Sequence, residues 1–272
     1  MVQKLFSWAK IIIEPKSMYR NLFITIILIT SLSPAAWSQK NITDQNNGWY
    51  MYFGNHKLSD KYSLHTEYQW RRDEVIENWQ QSLTRIGIDY KLAPSVIVTA
   101  GYGYIVTHPY GEQPVAFKFH EHRIWEQLIL NQNAGRFYFN HRFRLEQRYI
   151  ENRIDDGSGG SSKDGYTHKK RARYRFMVNI PINKPTMEKG AFFASIYDEV
   201  FLQYGPNFGI NYLDQNRLYG AIGYVLAPNA QVQIGYLNQY VIKGNAVDVE
   251  NNHTLQVSLT YHFDFSKKKT ED

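Results

Sequence analysis

Between residues 136 and 180 the chain alternates in steps of two. One register reads Phe137, Phe139, His141, Phe143, Leu145, Gln147 and Tyr149; the other reads Arg136, Tyr138, Asn140, Arg142, Arg144, Glu146 and Arg148. The next run repeats the pattern, with Lys169, Arg171, Arg173 and Arg175 on one side and Ala172, Tyr174, Phe176, Val178 and Ile180 on the other. A period of two places successive side chains on opposite faces of a β-strand. These runs are about twice the usual strand length of roughly 5–6 residues. One face is apolar and aromatic, the other densely charged. In a soluble sandwich the apolar face would meet a second sheet. Nearly every run in this chain is long and two-sided in the same way. The pattern therefore predicts an all-β, transmembrane, antiparallel up-and-down barrel of about 10–12 strands, with lipid outside and a polar, charged lumen.

Strand-like runs fall near 48–54, 61–72, 79–91, 95–107, 118–131, 135–151, 166–180, 190–204, 214–226, 229–242 and 251–265. Leu92-Ala93-Pro94, Asn131-Gln132-Asn133 and Ala227-Pro228 read as tight turns, whereas 73–78, 108–117, 152–165, 205–213 and 243–250 are longer and more polar. Short turns at one end and long loops at the other is the outer-membrane arrangement, with the short turns periplasmic. The 181–189 connection belongs to the short end yet has nine residues. Single-chain bacterial barrels have even strand numbers. Either 48–54 is not a full barrel strand, giving ten, or one strand is missing, giving twelve. Residues 40–47 (NITDQNNG) have poor strand propensity and do not decide it.

The same alternation assigns faces elsewhere. Leu64, Tyr68, Trp70, Ile86, Ile88, Tyr90, Leu218, Ile222, Tyr224, Val232, Ile234, Tyr236 and Tyr240 face lipid, while His65, Gln69, Tyr219, Gln231, Gln233 and Gln239 face inward. In the run 118–131 the favoured register puts Glu121, Arg123 and Gln127 inside, which leaves Glu126 on the outer face without explanation. The last run alternates Leu255, Val257, Leu259, Tyr261, Phe263 and Phe265 with Thr254, Gln256, Ser258, Thr260, His262 and Asp264. It resembles the C-terminal signal read by outer-membrane insertion machinery, except that a polar tail, 266–272, follows it.

The chain of 272 residues carries 21 Tyr, 15 Phe and 6 Trp, a supply that suits interfacial girdles. Its mean hydropathy of −0.49 excludes a helical membrane protein. A barrel stays polar on average because only alternate residues face lipid. The absence of cysteine excludes a lipoprotein anchor and a disulfide framework. Residues 1–38 read as a secretory signal, with its functional start at Met1 or Met18. Tyr19-Arg20 begins the segment, Leu22 to Leu32 forms an apolar core too short to span a bilayer, and Ala36-Trp37-Ser38 supplies the cleavage site. Residues 39–47 then form an N-terminal periplasmic segment and 48–265 a single barrel domain. Removing 1–38 leaves 27 basic and 24 acidic residues. The overall basic balance is thus partly the signal's and gives no argument for nucleic acid.

The segments GWYMYFG, EYQWRR, EHRIWEQ, HRFRLEQRYI, YDEVFLQYG and NRLYGAIGYVLAPNAQVQIGYLNQY resemble an outer-membrane barrel family catalogued as domain of unknown function 2490. The resemblance covers roughly residues 48–265. It implies an outer-membrane location in a Gram-negative bacterium and no particular activity.

The inward charges form the candidate binding site. Its basic members are Arg71, Arg85, Arg123, Arg142, Arg144, Arg148, Arg171, Arg173, Arg175 and Arg217; its acidic members are Glu67, Asp89, Glu121, Glu146 and Glu199. Arginine grips carboxylates and phosphates through a planar fork. One reading is an electropositive path for small anionic solutes or a lipid headgroup. The other is a structural ladder in which carboxylates, Glu146, Glu121 and Glu199 foremost, pair the arginines and fill the lumen. Barrels of about eight strands are filled and those of 16–18 are open, so both readings fit. The expected role is a structural component or a narrow channel; an outer-membrane enzyme acting on lipid or peptide is the alternative. Ser258 and His262 share a face roughly 13 Å apart, too far for a nucleophile and its base. His120 and His122 form a pair without an obvious third metal ligand. His141 reads as an interfacial aromatic, and Asp155, Asp156 and Asp164 lack a calcium-loop spacing. No catalytic residue, metal or cofactor is expected.

Overall fold

The alternating runs become one closed sheet. The computed structural model describes residues 40–207 and 209–266. The expected signal peptide, its alternative start at Met18 and the tail 267–272 lie outside the described residues.

Eleven strands follow in order: β1 (Asn41–Lys57), β2 (Tyr62–Asp73), β3 (Asn78–Ala93), β4 (Val96–Thr107), β5 (Phe119–Ala134), β6 (Phe137–Asp155), β7 (Ser161–Pro181), β8 (Phe192–Tyr204), β9 (Leu213–Ala227), β10 (Ala230–Ile242) and β11 (Asp248–Tyr261). Sequence neighbours pair antiparallel, and β1 pairs parallel with β11 to close the barrel. The count is therefore neither ten nor twelve. An odd number of up-and-down strands leaves the first and last pointing the same way, so closure requires one parallel ladder. It runs from Asn41↔Asp248 to Gly54↔Tyr261. As a result β1 begins at the end that carries the longer loops.

Two sequence expectations are corrected. Residues 41–47 are not a segment ahead of the barrel but the first part of β1. Their Asn and Asp side chains act across the parallel seam. Asn47 Nδ2 donates to Asn252 Oδ1 at 3.0 Å, Asn251 Nδ2 to Asp44 Oδ1 at 2.6 Å and Asn41 Nδ2 to Asp248 Oδ1 at 3.1 Å. General propensity penalises such residues because it does not know of the partner strand. The polar stretch 152–165 is also not one loop: β6 and β7 stay paired out to Asp155↔Ser161. In the remaining turn, Asp156 accepts hydrogen bonds from the Ser158 hydroxyl and amide, which hold its carboxyl below the usual range. At the other end, the long 182–191 connection is anchored by Arg136, whose Nη2 donates to the carbonyls of Pro181, Ile182 and Lys184 at 2.6–3.0 Å. The final strand stops at Tyr261, short of residue 265, and Asp264 bridges to Lys57.

The outer face is an apolar belt. Ile86 and Ile88 on β3, Ile124 on β5, Phe143 and Leu145 on β6, Ile196 on β8, Ile222 on β9, Ile234 on β10 and Leu259 on β11 are all exposed. Aromatic pairs ring both ends. Tyr62–Tyr90, Phe139–Phe176 and Phe192–Tyr224 lie toward the short turns; Trp70–Trp79, Tyr104–His120, Tyr149–His168 and Tyr236–His253 lie toward the long loops. His141 sits in the lower ring, 4.9 Å from the Phe176 ring centroid, with Tyr174 Oη 2.9 Å from its Nδ1. Glu126 is indeed outward, and its carboxylate accepts a 3.4 Å hydrogen bond from Gln147.

Candidate functional site

The period-two register carries every inward charge read from the sequence to the lumen side. Thirteen of the fifteen line one cavity of about 760 Å³. The other two, Glu121 and Glu146, are fully buried in the wall behind the arginines. The cavity lining runs from Gln113, Lys243 and Glu250 at the long-loop end to Asn131, Asn140 and His262 at the short-turn end.

One stretch of wall, β5 to β8, is ionic. Glu146 on β6 accepts Arg171 Nη2 at 2.6 Å and Arg173 Nη1 at 2.7 Å, with Arg85 at 3.6 Å and Arg123 at 4.0 Å. Glu121 on β5 takes Arg123 Nε at 2.5 Å and Arg148 Nε at 2.7 Å. Glu199 on β8 takes Arg142 Nη2 at 2.7 Å and Arg173 Nη2 at 2.8 Å. Antiparallel register makes this geometry. Glu146 stands directly opposite Arg171, and Glu199 opposite both Arg175 and Arg217. Glu67 on β2 extends the network to Arg85 at 2.5 Å. Asp214, which the sequence reading did not single out, adds a 2.6 Å bond to Arg171. Asp89 stands apart, accepting from Thr99 Oγ1 at 2.5 Å and from Asn55.

Four arginines of the cavity lining have no carboxylate within ion-pair distance among the described residues, and aromatic rings support them. Arg71 lies 3.8 Å and Arg217 4.9 Å from the Trp49 ring centroid. Arg144 is 4.7 Å from Trp125, and Arg175 is 5.5 Å from Tyr197. Their hydrogen bonds go to neutral amides: Arg71 to Gln69 and Gln81, Arg144 to Gln127, Arg175 to Asn140 and Arg217 to Gln215. A guanidinium over a ring face is attracted to the ring's negative quadrupole without being neutralised. Trp49 belongs to an inner apolar cluster with Tyr197, Tyr219 and Leu237. Trp125 fits against the wall because β4 offers glycine there: a Cβ at Gly101 would come within 2.5 Å of the indole.

Tyr219 faces inward as the alternation expects, whereas Trp49, Trp125, Tyr197 and Phe201 are the inward aromatics that sequence reasoning missed. An apolar side chain on a barrel strand is by default assigned to lipid. The usable signal was parity: Trp125 shares a register with Glu121, Arg123 and Gln127, and Tyr197 and Phe201 share one with Glu199. The long loop 108–118 was also unassigned. It crosses the mouth of the barrel, where Tyr110 Oη donates to Glu250 Oε2 at 3.2 Å, Gln113 Nε2 donates to Thr43 Oγ1 at 2.9 Å and Lys243 pairs with Glu250.

No hydrogen bond joins Ser258 to His262 among the described residues; His262 Nδ1 accepts from the Asn55 amide at 3.0 Å. The Thr66 hydroxyl lies 2.8 Å from His56 Nε2. His56 Nδ1 accepts the Phe263 amide, so Nε2 carries the proton and cannot take one from the hydroxyl. His120 and His122 face outward and bond to Tyr104 and Tyr102.

The family profile described as protein of unknown function (DUF2490) matches residues 46–251. The chain belongs to this family. No curated protein matches it. Among solved structures, one titled "NanC porin structure in rhombohedral crystal form" is similar over 79% of this chain and 97% of that one, with 12% identity and a TM-score of 0.44. At that score the likeness carries no weight for activity. Family membership gives the barrel no role, so function has to be argued from the lumen.

Proposed function

We propose that this DUF2490 barrel resides in the outer membrane after secretion and acts as a narrow channel for small anionic solutes. The observation that carries the reading is the cavity, lined toward both barrel ends and faced by ten arginines and Lys243 against five carboxylates. Its volume of about 760 Å³ lies within the roughly 300–1,000 Å³ of small-molecule sites. The exterior supports the location. Phe139 and Tyr149 mark the two aromatic girdles on β6, ten residues apart. At about 3.3 Å per residue and a tilt of about 40°, that is roughly 25 Å of height, the thickness of an outer-membrane apolar band. Lipid and the insertion machinery are then the expected partners, and the role is passage rather than catalysis.

Planar-bilayer recording tests the channel. A salt gradient should give a small conductance with a reversal potential on the anion side, weakening as ionic strength screens the arginines. A correctly folded barrel that conducts nothing would leave the structural-component reading in its place. The location is tested by fractionation: recovery in the soluble periplasmic fraction, with no mobility difference between boiled and unboiled samples, would sink the membrane barrel.

A further inference from the structure

Arg71 and Arg217 form a pair that the ladder of ion pairs does not include. They come from β2 and β9, separated in the barrel by β1, β11 and β10, and both lie against the Trp49 indole on β1. Both guanidinium carbons lie within 5 Å of that ring centroid. They are therefore no more than about 9 Å apart, close enough for like charges to repel. Both side chains are buried, each 8% exposed, and both line the cavity. Among the described residues neither has a carboxylate within ion-pair distance, and Arg217 Nε has no hydrogen-bond partner. Arg217 also lies 4.6 Å from the Phe201 ring centroid, and Glu199, opposite it on β8, is already paired with Arg142 and Arg173. A buried cation without a counter-ion of its own is costly unless something neutralises it. Two forks facing one cavity over a flat apolar platform suit an anion whose oxygens can take donors from both.

We propose that Arg71, Arg217 and Trp49 form an oxyanion-binding site within the lumen, for a carboxylate or a phosphate group, and that it is the selective step of the channel. The site deepens the channel reading but does not depend on conduction. Trp49 stays anchored through Nε1, which donates to Gln80 Oε1 at 2.8 Å, so its ring is a fixed support for the two guanidinium groups that take the anion. Arg144 and Arg175 line the same cavity. The paired arginines around Glu146 are occupied and take no part.

The test is calorimetric titration of the full refolded protein in detergent with inorganic phosphate and, separately, with succinate. Saturable binding of at least one is expected, weakened at least tenfold in Arg71→Gln and in Arg217→Gln and unchanged in Lys91→Gln. Phosphate preferred over succinate assigns a phosphate-bearing solute; the reverse assigns a carboxylate. Saturable binding should also change the tryptophan emission of the native protein, and that change should vanish in Trp49→Phe. This second readout decides the matter should a glutamine variant fail to refold. A conducting barrel that binds neither anion overturns the site and leaves the channel standing. Binding that survives both glutamine substitutions, or an emission change that persists in Trp49→Phe, also overturns it. Binding by a protein that never conducts keeps the site and removes the channel.

Discussion

The lumen has two kinds of wall, and they treat the same residue type differently. Along β5 to β8, Arg171 and Arg173 find Glu146, Arg123 and Arg148 find Glu121, and Arg142 finds Glu199, whereas Arg144 and Arg175 on the same strands find none within ion-pair distance among the described residues. Around Trp49, Trp125 and Tyr197 the arginines rest on rings and neutral amides. An arginine with a carboxylate is committed, because its fork is filled and its charge cancelled. An arginine on an indole keeps its charge. From the sequence, a structural ladder and an anion path are rival accounts of one cluster. The geometry divides the cluster between them.

The sharpest way to break this comparison is Glu146→Gln. Glu146 is completely buried, and its removal takes from Arg171 and Arg173 one of their two carboxylates, leaving Asp214 and Glu199 to hold the cluster. Losing one partner of a buried ionic group costs about 3–5 kcal/mol. Chemical unfolding in micelles should show that loss, and an unchanged midpoint would mean the ionic wall is not structural. Arg175→Gln, on the other side of the comparison, should alter stability by no more than about 1 kcal/mol, since only a cation–ring contact and an amide bond are removed. It should still reduce anion preference in reversal-potential recordings; equal destabilisation by the two substitutions would erase the distinction.

The exterior offers the next effect in size. Phe143 is an exposed belt residue, and a cation mid-membrane on that face costs roughly 2–4 kcal/mol. Phe143→Arg should therefore impair assembly, read from heat-modifiable mobility. Tolerance of Phe143→Arg together with failure of Arg144→Phe would show that the register is inverted and that both walls face outward. The smallest effect lies at the seam. Asn47→Ala removes one buried side-chain hydrogen bond to Asn252, worth about 1 kcal/mol. A larger loss would indicate that the parallel ladder is the weak point at which the barrel opens.

Alternation of side chains was enough, by itself, to say that this is a barrel, which residues look inward and which look out. Arg142, Arg144, Glu146, Arg171 and Arg173 sit where a period of two puts them, since one residue of slip would send every charge to lipid. Even the unexplained outward Glu126 was read correctly. What alternation could not supply is anything that depends on another strand. The strand character of 41–47 comes from β11 on the far side of the seam. The odd strand number follows from how the chain closes. Whether an arginine is neutralised or left charged over a ring is set by which strand stands opposite it and in what register. Those pairings join residues far apart in the chain: Glu199 serves Arg142 across 57 residues, and Trp49 on β1 supports Arg217 on β9. A local pattern carries the direction in which a side chain points. Only closure of the sheet decides what it meets.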